Sequence, residues 1–423
     1  MPTTITGRGA VALLALTGCA LDISNPNAPT DEDVLTSAAG LIAVAIGMQG
    51  RLGNALEEGI YVPALVSGEL GNTNATQSTT REFQRFPTPS ANSRIEETNV
   101  DVLDLWVKHY AVVKSADDIL DNHAPVTLAP GTRTGMLALA RLHKAIAFAT
   151  LIEAFEQIPI ADLGGAPPAF ADRATVLAEA LDLLATAKAD ATGTPLSSEF
   201  TGGIVAPGLD LLNTIRAMQA RYAIAAGRYE DALTFAGEVP PTAKSVVTYT
   251  TLDKNPFRDP FHGVRFFGAL SSFRANAESG DARVDMFTTD TVLTGFGGAT
   301  LNAMNVYRSD ADSIPLFSQD EIALIRAEAH ARAGRLPEAI AQLNVVRSGA
   351  ALQMKDATDL PTQQAVLDEI FTQRTYSLFA RGLHWADLRR FGRIAQAKVE
   401  YLPYPLAERA TNPNTPPNPP QTP

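Results

Sequence analysis

A short pattern occurs twice in this sequence, each time between two segments whose apolar residues have helical spacing. The first copy, AIAAGRYEDA, begins at Ala223, and the second, HARAGRLPEA, begins at His330. Glycine commonly ends a helix in a left-handed conformation, and a small alanine in the next helix lets two helices approach closely. The repetition therefore predicts two stacked helix-turn-helix pairs, at 209–239 and 319–348.

Both turns resemble those of tetratricopeptide repeats, although a generic pair of antiparallel helices would give the same fold class. Apolar periodicity predicts further helices at residues 33–56, 100–120, 133–156, 174–187, 363–379 and 385–396. We expect an all-α fold with tetratricopeptide-like pairs around 133–190, 209–239, 319–348 and 363–396. Between the second and third pairs, residues 240–318 are aromatic and glycine-rich, and we expect an irregular insert there.

The N-terminal residues are arranged like a signal peptide. Arg8 precedes an apolar run at 11–16, and the tetrapeptide Leu-Thr-Gly-Cys follows and ends at Cys19. The tetrapeptide resembles the bacterial lipobox, in which the cysteine sulfur receives a diacylglycerol before cleavage on its N-terminal side. We predict a signal peptide at 1–18, lipidation of Cys19 and an extended tether at 19–32, followed by a single domain at 33–423.

The alternative for Cys19 is an ordinary buried cysteine of a cytosolic protein. Cys19 is the only cysteine in the chain and lies directly behind the apolar run, which favours lipidation. Beyond Cys19 we expect no apolar stretch long enough to span a bilayer, because a spanning helix needs about 20 apolar residues. The sequence therefore predicts a body that is held at a membrane by its lipid alone.

Sequence motifs of common catalytic and cofactor sites are missing. The chain has no H-E-x-x-H, G-x-S-x-G or G-x-x-x-x-G-K-[ST] motif, and its six histidines are scattered without metal-ligand spacing. Asp310-Ala-Asp312 lacks the glycine and distal glutamate of a calcium loop. We therefore predict no enzymatic activity, no cofactor and no metal. A glycoside hydrolase stays an alternative, because its paired carboxylates cannot be recognised by sequence among 46 acidic residues.

A polar segment at 67–98 carries the side chains that best suit a ligand. Amides and guanidinium groups can hydrogen-bond sugar hydroxyls, and aromatic rings can stack on sugar CH faces; peptides suit such a set nearly as well. The candidate ligand residues here are Glu69, Asn72, Asn74, Arg81, Phe83, Arg85 and Phe86. The net charge of −12 argues against nucleic acid as a ligand, since phosphate binding needs a basic face.

A second cluster lies in the insert, and Arg274 is its candidate ligand residue. Closely spaced phenylalanines more often anchor a loop on a helical core than bind a ligand. We therefore interpret the phenylalanines of this cluster as core: Phe257, Phe261, Phe266, Phe267 and Phe273, with His262 and Arg265 among them in sequence. Trp106 and Trp385 lie on helical stretches and are also predicted to be core.

The chain resembles the SusD/RagB family over almost its whole length. The most specific match is RGLHWADLRR, which begins at Arg381. In order along the chain, the other matching segments are LDISNPN from Leu21, LWVKHY from Leu105, ARLHK from Ala140, EAFEQIP from Glu153, DAR from Asp281, IPL from Ile314 and LPYPL from Leu402. From the residues themselves, Asp387 and the two arginines after it are expected to form a partly buried network that fixes a helix.

The resemblance implies four tetratricopeptide-like helix pairs and a less regular half that carries the ligand. It also implies a non-catalytic, lipid-anchored protein of the outer membrane, on the cell surface. Family members cover a TonB-dependent outer-membrane transporter of the SusC type and capture oligosaccharides or, in one branch, peptides. This chain is short for the family and has only two tryptophans, which puts a large polysaccharide-binding platform in doubt. The alternative function is a tetratricopeptide-type scaffold lipoprotein in envelope protein assembly, with no small ligand.

Overall fold

The computed structural model describes Met1 and residues 34–85, 94–161 and 167–421. The predicted lipidation site Cys19 and the tether at 19–32 lie outside the described residues. The same holds for the signal peptide at 1–18 apart from Met1, and for the candidate ligand residue Phe86.

In the part of the chain that the structure describes, the scaffold consists of ten helices of seven to 30 residues, with the insert between the sixth and the seventh. In chain order they are α1 Ala38–Ser67, α2 Val100–Asn122, α3 Pro130–Ala154, α4 Arg173–Gly193, α5 Leu211–Ala225, α6 Tyr229–Gly237, α7 Gln319–Arg332, α8 Leu336–Gly349, α9 Gln363–Ser377 and α10 His384–Arg390. Short helical turns occur at Ser78–Arg81, Phe200–Ile204, Asp259–Gly263, Ser272–Ala275, Ala282–Phe287, Phe296–Gly298, Ile394–Gln396 and Leu406–Thr411. The predicted fold class, a helical-repeat scaffold, is confirmed.

The two predicted repeat turns have the same backbone geometry. Gly227 and Gly334 adopt left-handed φ angles of 72° and 76°. In each turn the N–H of the following arginine donates to a carbonyl five residues earlier, Arg228 to Ala223 and Arg335 to His330, both at 2.9 Å. These are the bonds of a Schellman cap, in which glycine is favoured because the left-handed residue carries no Cβ.

Helix α3 lies at the centre of the core. Among the described helices it alone has the length and apolar composition to cross a membrane. In its most apolar stretch of 18 residues, 83% is buried inside the molecule. The expectation that no stretch beyond Cys19 has this length is therefore wrong. Composition does not distinguish the two cases, because a helix surrounded by other helices must also be apolar on every side.

Three predicted helix ends differ by six residues or more, one of them that of α4, which was expected at residue 187 and lies at Gly193. The first helix was expected to end at residue 56, but α1 continues to Ser67 with Pro63 inside it, and Gly68 ends it at φ 80°. The last helix was expected to reach residue 396, but α10 ends at Arg390 and a separate short turn follows. Helix α1 extends beyond its apolar-periodic part because neighbouring helices bury its C-terminal half, including Tyr61 and Leu65.

The insert at 240–318 is more regular than expected, because it contributes most of the strands. The strands are β1 Leu70–Asn72, β2 Gln157–Pro159, β3 Phe170–Asp172, β4 Val246–Val247, β5 Phe267–Leu270, β6 Thr288–Thr294, β7 Thr300–Met304 and β8 Ile314–Pro315. Antiparallel pairing gives a four-stranded sheet in the order β1-β5-β7-β6 and two small ribbons, β2-β3 and β4-β8. Short strands with few alternating residues give only a weak signal in sequence.

An aromatic cluster ties the C-terminal segment to the helices. Trp106 packs against Phe155 with ring centroids 4.8 Å apart, and Tyr404 stacks on Phe155 at 6.1 Å. The Tyr404 hydroxyl accepts a hydrogen bond from the backbone N–H of Gln157 at 3.1 Å. Trp106 and Trp385 are 4% and 1% exposed, which confirms both as core residues.

Candidate functional site

The segment predicted as one long ligand-binding loop contains regular structure. It leaves α1, forms strand β1 at the edge of the sheet, and makes a helical turn at Ser78–Arg81. The isolated pair Thr73–Gly295 connects it to the end of β6. The candidate side chains are therefore held on fixed backbone and divide into a buried set and a surface set.

Three of the candidate ligand residues point inward. Asn72 is fully buried, and its Nδ2 donates to the Thr80 carbonyl at 3.3 Å. Phe83 is also fully buried, in the main apolar core. Glu69 is 4% exposed, and its Oε1 accepts a hydrogen bond from the backbone N–H of Ala380 at 3.2 Å. These contacts shape the segment from the inside and leave none of the three on the surface.

Two other candidates, Asn74 and Arg81, lie at an aromatic ring that the sequence analysis did not select. The Arg81 guanidinium lies 4.2 Å above the Phe296 ring, and its Nη2 donates to the Asn74 carbonyl at 2.9 Å. Arg85 is half-buried, with its Nη2 3.4 Å from the Ala395 carbonyl, and burial lowers the pKa of its guanidinium. We call Asn74, Arg81 and Phe296 the Arg81 surface.

Phe296 lies in a turn in which the next two residues are glycines. It is followed by Gly297 and Gly298, both exposed and both with positive φ, so no side chain covers the ring from that direction. The Phe296 carbonyl also accepts a hydrogen bond from Gln84 Nε2 at 3.4 Å. The only signal in sequence is one aromatic residue inside a glycine-rich turn.

Arg274 has a different environment from the Arg81 surface. Its Nη2 pairs with Asp285 at 2.9 Å and with Asp290 at 2.5 Å, and its Nη1 donates to Thr288 Oγ1 at 3.0 Å. These partners lie between the short helix Ala282–Phe287 and strand β6. The described contacts join Arg274 to this corner and not to the Arg81 surface.

The aromatic cluster of the insert is core, as interpreted. Phe257 stacks on Phe261 at 5.2 Å and on Tyr307 at 5.6 Å, and Phe273 lies 4.0 Å from Phe379. Phe267 is 5% exposed and stacks on Tyr61. These rings anchor the insert on the helical scaffold and leave Arg265 exposed.

The segment Arg381–Arg390 contributes to a buried ionic network, which confirms the interpretation for Asp387 and Arg390, while Arg389 pairs with Glu153 at 3.0 Å. Arg374 Nε donates to Asp387 Oδ2 at 2.7 Å, and Arg390 Nη2 donates to Asp387 Oδ1 at 2.8 Å. Arg390 also pairs with the fully buried Glu328 at 3.0 Å. Burial alone would raise the pKa of Asp387, but the two guanidinium groups outweigh burial and hold it below its usual value.

A cavity of about 130 Å³ lies beside this network, between α1, α3, α5, α7, α9 and α10. Its charged lining residues are Glu153, Arg221, Glu321, Arg374, Arg381, Asp387 and Arg390. The remaining wall is largely apolar and includes Ile60, Pro63 and Leu378. We call this the Arg374 cavity.

Burial raises the pKa values of two adjacent acids on α1. Burial, and after it the charge of Glu58, raises the pKa of Glu57 to about 7. Glu58 is 4% exposed and pairs with Lys108 at 2.5 Å. Neighbouring positions on a helix point about 100° apart, so these two carboxylates do not face each other across a cleft. Among the residues that the structure describes, no group of three or more His, Cys, Asp and Glu side chains is arranged to hold a metal ion.

Comparison with known proteins gives a consistent result. Residues 278–419 match the model of the SusD family. No curated protein matches the sequence. Among solved structures, a SusD superfamily protein from Bacteroides vulgatus is similar with a TM-score of 0.70 and 15% identity, covering 92% of this chain and 98% of that one.

Two further solved structures are similar to this chain to the same degree. A putative sugar binding protein from Bacteroides vulgatus has a TM-score of 0.70 and 17% identity over 91% of this chain and 98% of its own. NanU of B. fragilis has a TM-score of 0.71 and 12% identity over 95% of this chain and 100% of its own. At these identities the likeness establishes the fold. The match of residues 278–419 to the SusD family model, together with a SusD-like fold across the described chain, supports the resemblance to the SusD/RagB family seen in the sequence.

Proposed function

We propose that this protein is a non-catalytic lipoprotein that captures oligosaccharides, or alternatively peptides, and passes them to a TonB-dependent outer-membrane transporter of the SusC type. The observation that carries the proposal is the Arg81 surface. It combines a guanidinium group stacked on an aromatic ring with an exposed asparagine, Asn74, on backbone held by the sheet. Such a set can stack on a sugar ring and hydrogen-bond its hydroxyl groups.

Two solved structures with this fold carry names that support the sugar alternative. One is called a putative sugar binding protein, and another, 18% identical over 83% of this chain, is called a SusD-like carbohydrate binding protein. We extend carbohydrate binding to this chain because the Arg81 surface offers a matching set of groups. The same groups would suit a peptide, which is why the test includes both ligand classes.

Attachment to the outer membrane is also proposed. The lipobox ending at Cys19 would supply the anchor, and residues 19–32 would act as a tether between the lipid and the first helix. A lipid at this end and a ligand surface on the folded body would suit capture beside a transporter in the cell surface.

Catalysis is not part of the proposal. A glycoside hydrolase needs two facing carboxylates, one of them held protonated. In the Arg374 cavity the lining carboxylates are all paired with arginines: Glu153 with Arg389 at 3.0 Å, Glu321 with Arg221 at 2.6 Å and Asp387 with Arg374 at 2.7 Å. Burial would raise the pKa values of Glu153 and Asp387, but the arginines hold both below their usual values, which does not suit a general acid.

The test is calorimetry of the purified full-length protein against panels of oligosaccharides and of short peptides. Arg81→Gln and Phe296→Ala should each weaken binding of the active ligand by about tenfold, the value of a lost charged hydrogen bond or stacking contact. Arg274→Gln is the matched control, because its guanidinium is occupied by Asp285 and Asp290, and binding should be unchanged. Absence of binding in both panels, together with co-purification of envelope assembly proteins, would instead support the scaffold alternative.

A further inference from the structure

The charges that line the Arg374 cavity are not balanced. Four guanidinium groups and three carboxylates face it. The carboxylates are already engaged on both oxygens: Arg221 holds Glu321 with bonds of 2.6 and 2.7 Å, and Asp387 is shared by Arg374 and Arg390. Glu153 is held by Arg173 at 2.6 Å and Arg389 at 3.0 Å, neither of which lines the cavity. The excess is therefore positive.

Two of the lining guanidinium groups have unused donors. The Arg374 side chain is 3% exposed, and its buried Nη1 has no hydrogen-bond acceptor among the residues that the structure describes. The half-buried Arg381 side chain makes no hydrogen bond or ion pair with any residue in the described ranges. Buried donors that lack an acceptor are costly, most of all when charged, so Arg374 Nη1 favours a bound anion, and Arg381 supplies a second guanidinium group at the cavity wall.

The rest of the wall suits an apolar group of limited size. Ile60, Pro63 and Leu378 line the cavity, and Ile60 and Leu378 are each 4% exposed. The volume of about 130 Å³ is close to that of an engineered apolar cavity of about 150 Å³ that takes up benzene. A molecule of one ring or a short branched chain therefore fits, and an oligosaccharide does not.

We propose that the Arg374 cavity binds a small organic carboxylate, separately from the ligand of the Arg81 surface. Its carboxylate group accepts hydrogen bonds from Arg374 and Arg381, since guanidinium groups bind planar carboxylates well. Its apolar body contacts the wall formed by Ile60, Pro63 and Leu378. The two sites share no residue, so this proposal does not depend on the proposed function.

The first test uses benzoate, whose ring and carboxylate match the two halves of the cavity. Calorimetry and thermal melting of the full-length protein should show saturable benzoate binding and a rise in melting temperature. Benzamide has the same shape without the charge and should bind at least about tenfold more weakly, because a hydrogen bond to a charged group is worth more. An equal effect of benzamide, an equal effect of sulfate at the same concentration, or no effect of benzoate would each overturn the proposal.

The second test locates the site. Arg381→Gln removes a guanidinium that has no protein partner, so the fold should persist while benzoate affinity falls about tenfold. Arg326→Gln is the matched control, because Arg326 is also half-buried without a described side-chain partner and does not line the cavity. Arg381→Lys keeps the charge and should lose less affinity than Arg381→Gln. Equal benzoate affinity in wild type and Arg381→Gln would overturn the proposal, and circular dichroism confirms that the variant is folded.

Discussion

The side chain of Glu69 is hydrogen-bonded to the backbone of Ala380, 311 positions away in sequence. Oε1 of the carboxyl group accepts from the Ala380 N–H at 3.2 Å, and Oε2 has no partner among the described residues. Ala380 itself has a φ of 54°, unusual for a residue other than glycine. The contact joins the end of α1 to the segment after α9 and places an acid in the core. Burial raises the pKa of Glu69 to about 8.

Glu69→Gln should stabilise the protein at alkaline pH. Between the ordinary pKa of 4.5 and about 8, the folded state keeps the proton while the unfolded chain loses it, so stability falls as pH rises through this window. Glutamine keeps an oxygen acceptor for Ala380 and has no charge to bury. Denaturant unfolding at pH 5 and pH 9 should show a gain of a few kcal/mol at pH 9 only. Glu156→Gln, at an exposed position, should show no such difference, and an equal gain at both pH values would contradict the assignment.

Gly382→Ala should be among the most destabilising single substitutions in the scaffold. Gly382 has a φ of 73°, and a Cβ on it would lie 2.4 Å from the carbonyl oxygen of Gly59. That carbonyl faces Pro63, which lacks the N–H that a helix would normally donate to it. Backbone cannot yield as a flexible side chain can, and we expect a loss of about 3 kcal/mol or more.

Gly280→Ala separates the effect of backbone strain from that of the contact. Gly280 also has a positive φ, 88°, but a Cβ there would meet nothing within 4 Å. This control should lose about 1 kcal/mol. Urea unfolding measures the loss of stability in both variants. Similar losses would show that the contact between a Cβ at position 382 and the Gly59 carbonyl oxygen does not destabilise the protein.

Asp387→Asn should destabilise the protein by about 3–5 kcal/mol, because it leaves the buried Arg374 guanidinium without its counter-charge and Arg390 with Glu328 alone. The pKa of Asp387 is held below 3.8, so its contribution is present above that pH and is lost as pH falls through the lower folded value. The variant should therefore lose stability at neutral pH and show a weaker acid transition.

Asp118→Asn is the control variant. It breaks the surface pair with Lys114 on α2 and should reduce stability by no more than about 0.5 kcal/mol. A double-mutant cycle with Arg374→Met measures the coupling, and a coupling near zero would contradict the network.

Cys19→Ala should abolish membrane retention and leave ligand affinity unchanged. The lipid would be attached outside the folded body, so its loss should not disturb the core. Fractionation and calorimetry of the same variant measure the two effects. Unfolding of the variant would show that Cys19 is a core residue.

The local sequence pattern was enough to predict the two repeat turns. Gly227 and Gly334 end their helices with the expected left-handed residue, because a helix cap depends on neighbours within a few positions. The apolar stripes of α3, α5, α7 and α9 were visible for the same reason. The match of the segment from Arg381 onward to the SusD/RagB family was also visible, since it is a local string.

The burial of Glu69 and the role of Phe296 were decided only by tertiary structure. Glu69 and Ala380 meet through packing of distant helices, and nothing near Glu69 in sequence distinguishes it from the exposed Asn74. Phe296 contacts Arg81 because Thr73, which follows β1, pairs with Gly295, which follows β6, and these residues are far apart in the chain. The sequence by itself determined which segments are helical and the caps at Gly227 and Gly334, because those depend on local contacts. Long-range packing determines which polar residues face the core, the Arg374 cavity or solvent. Only the assembled tertiary structure therefore decided the position of each polar side chain.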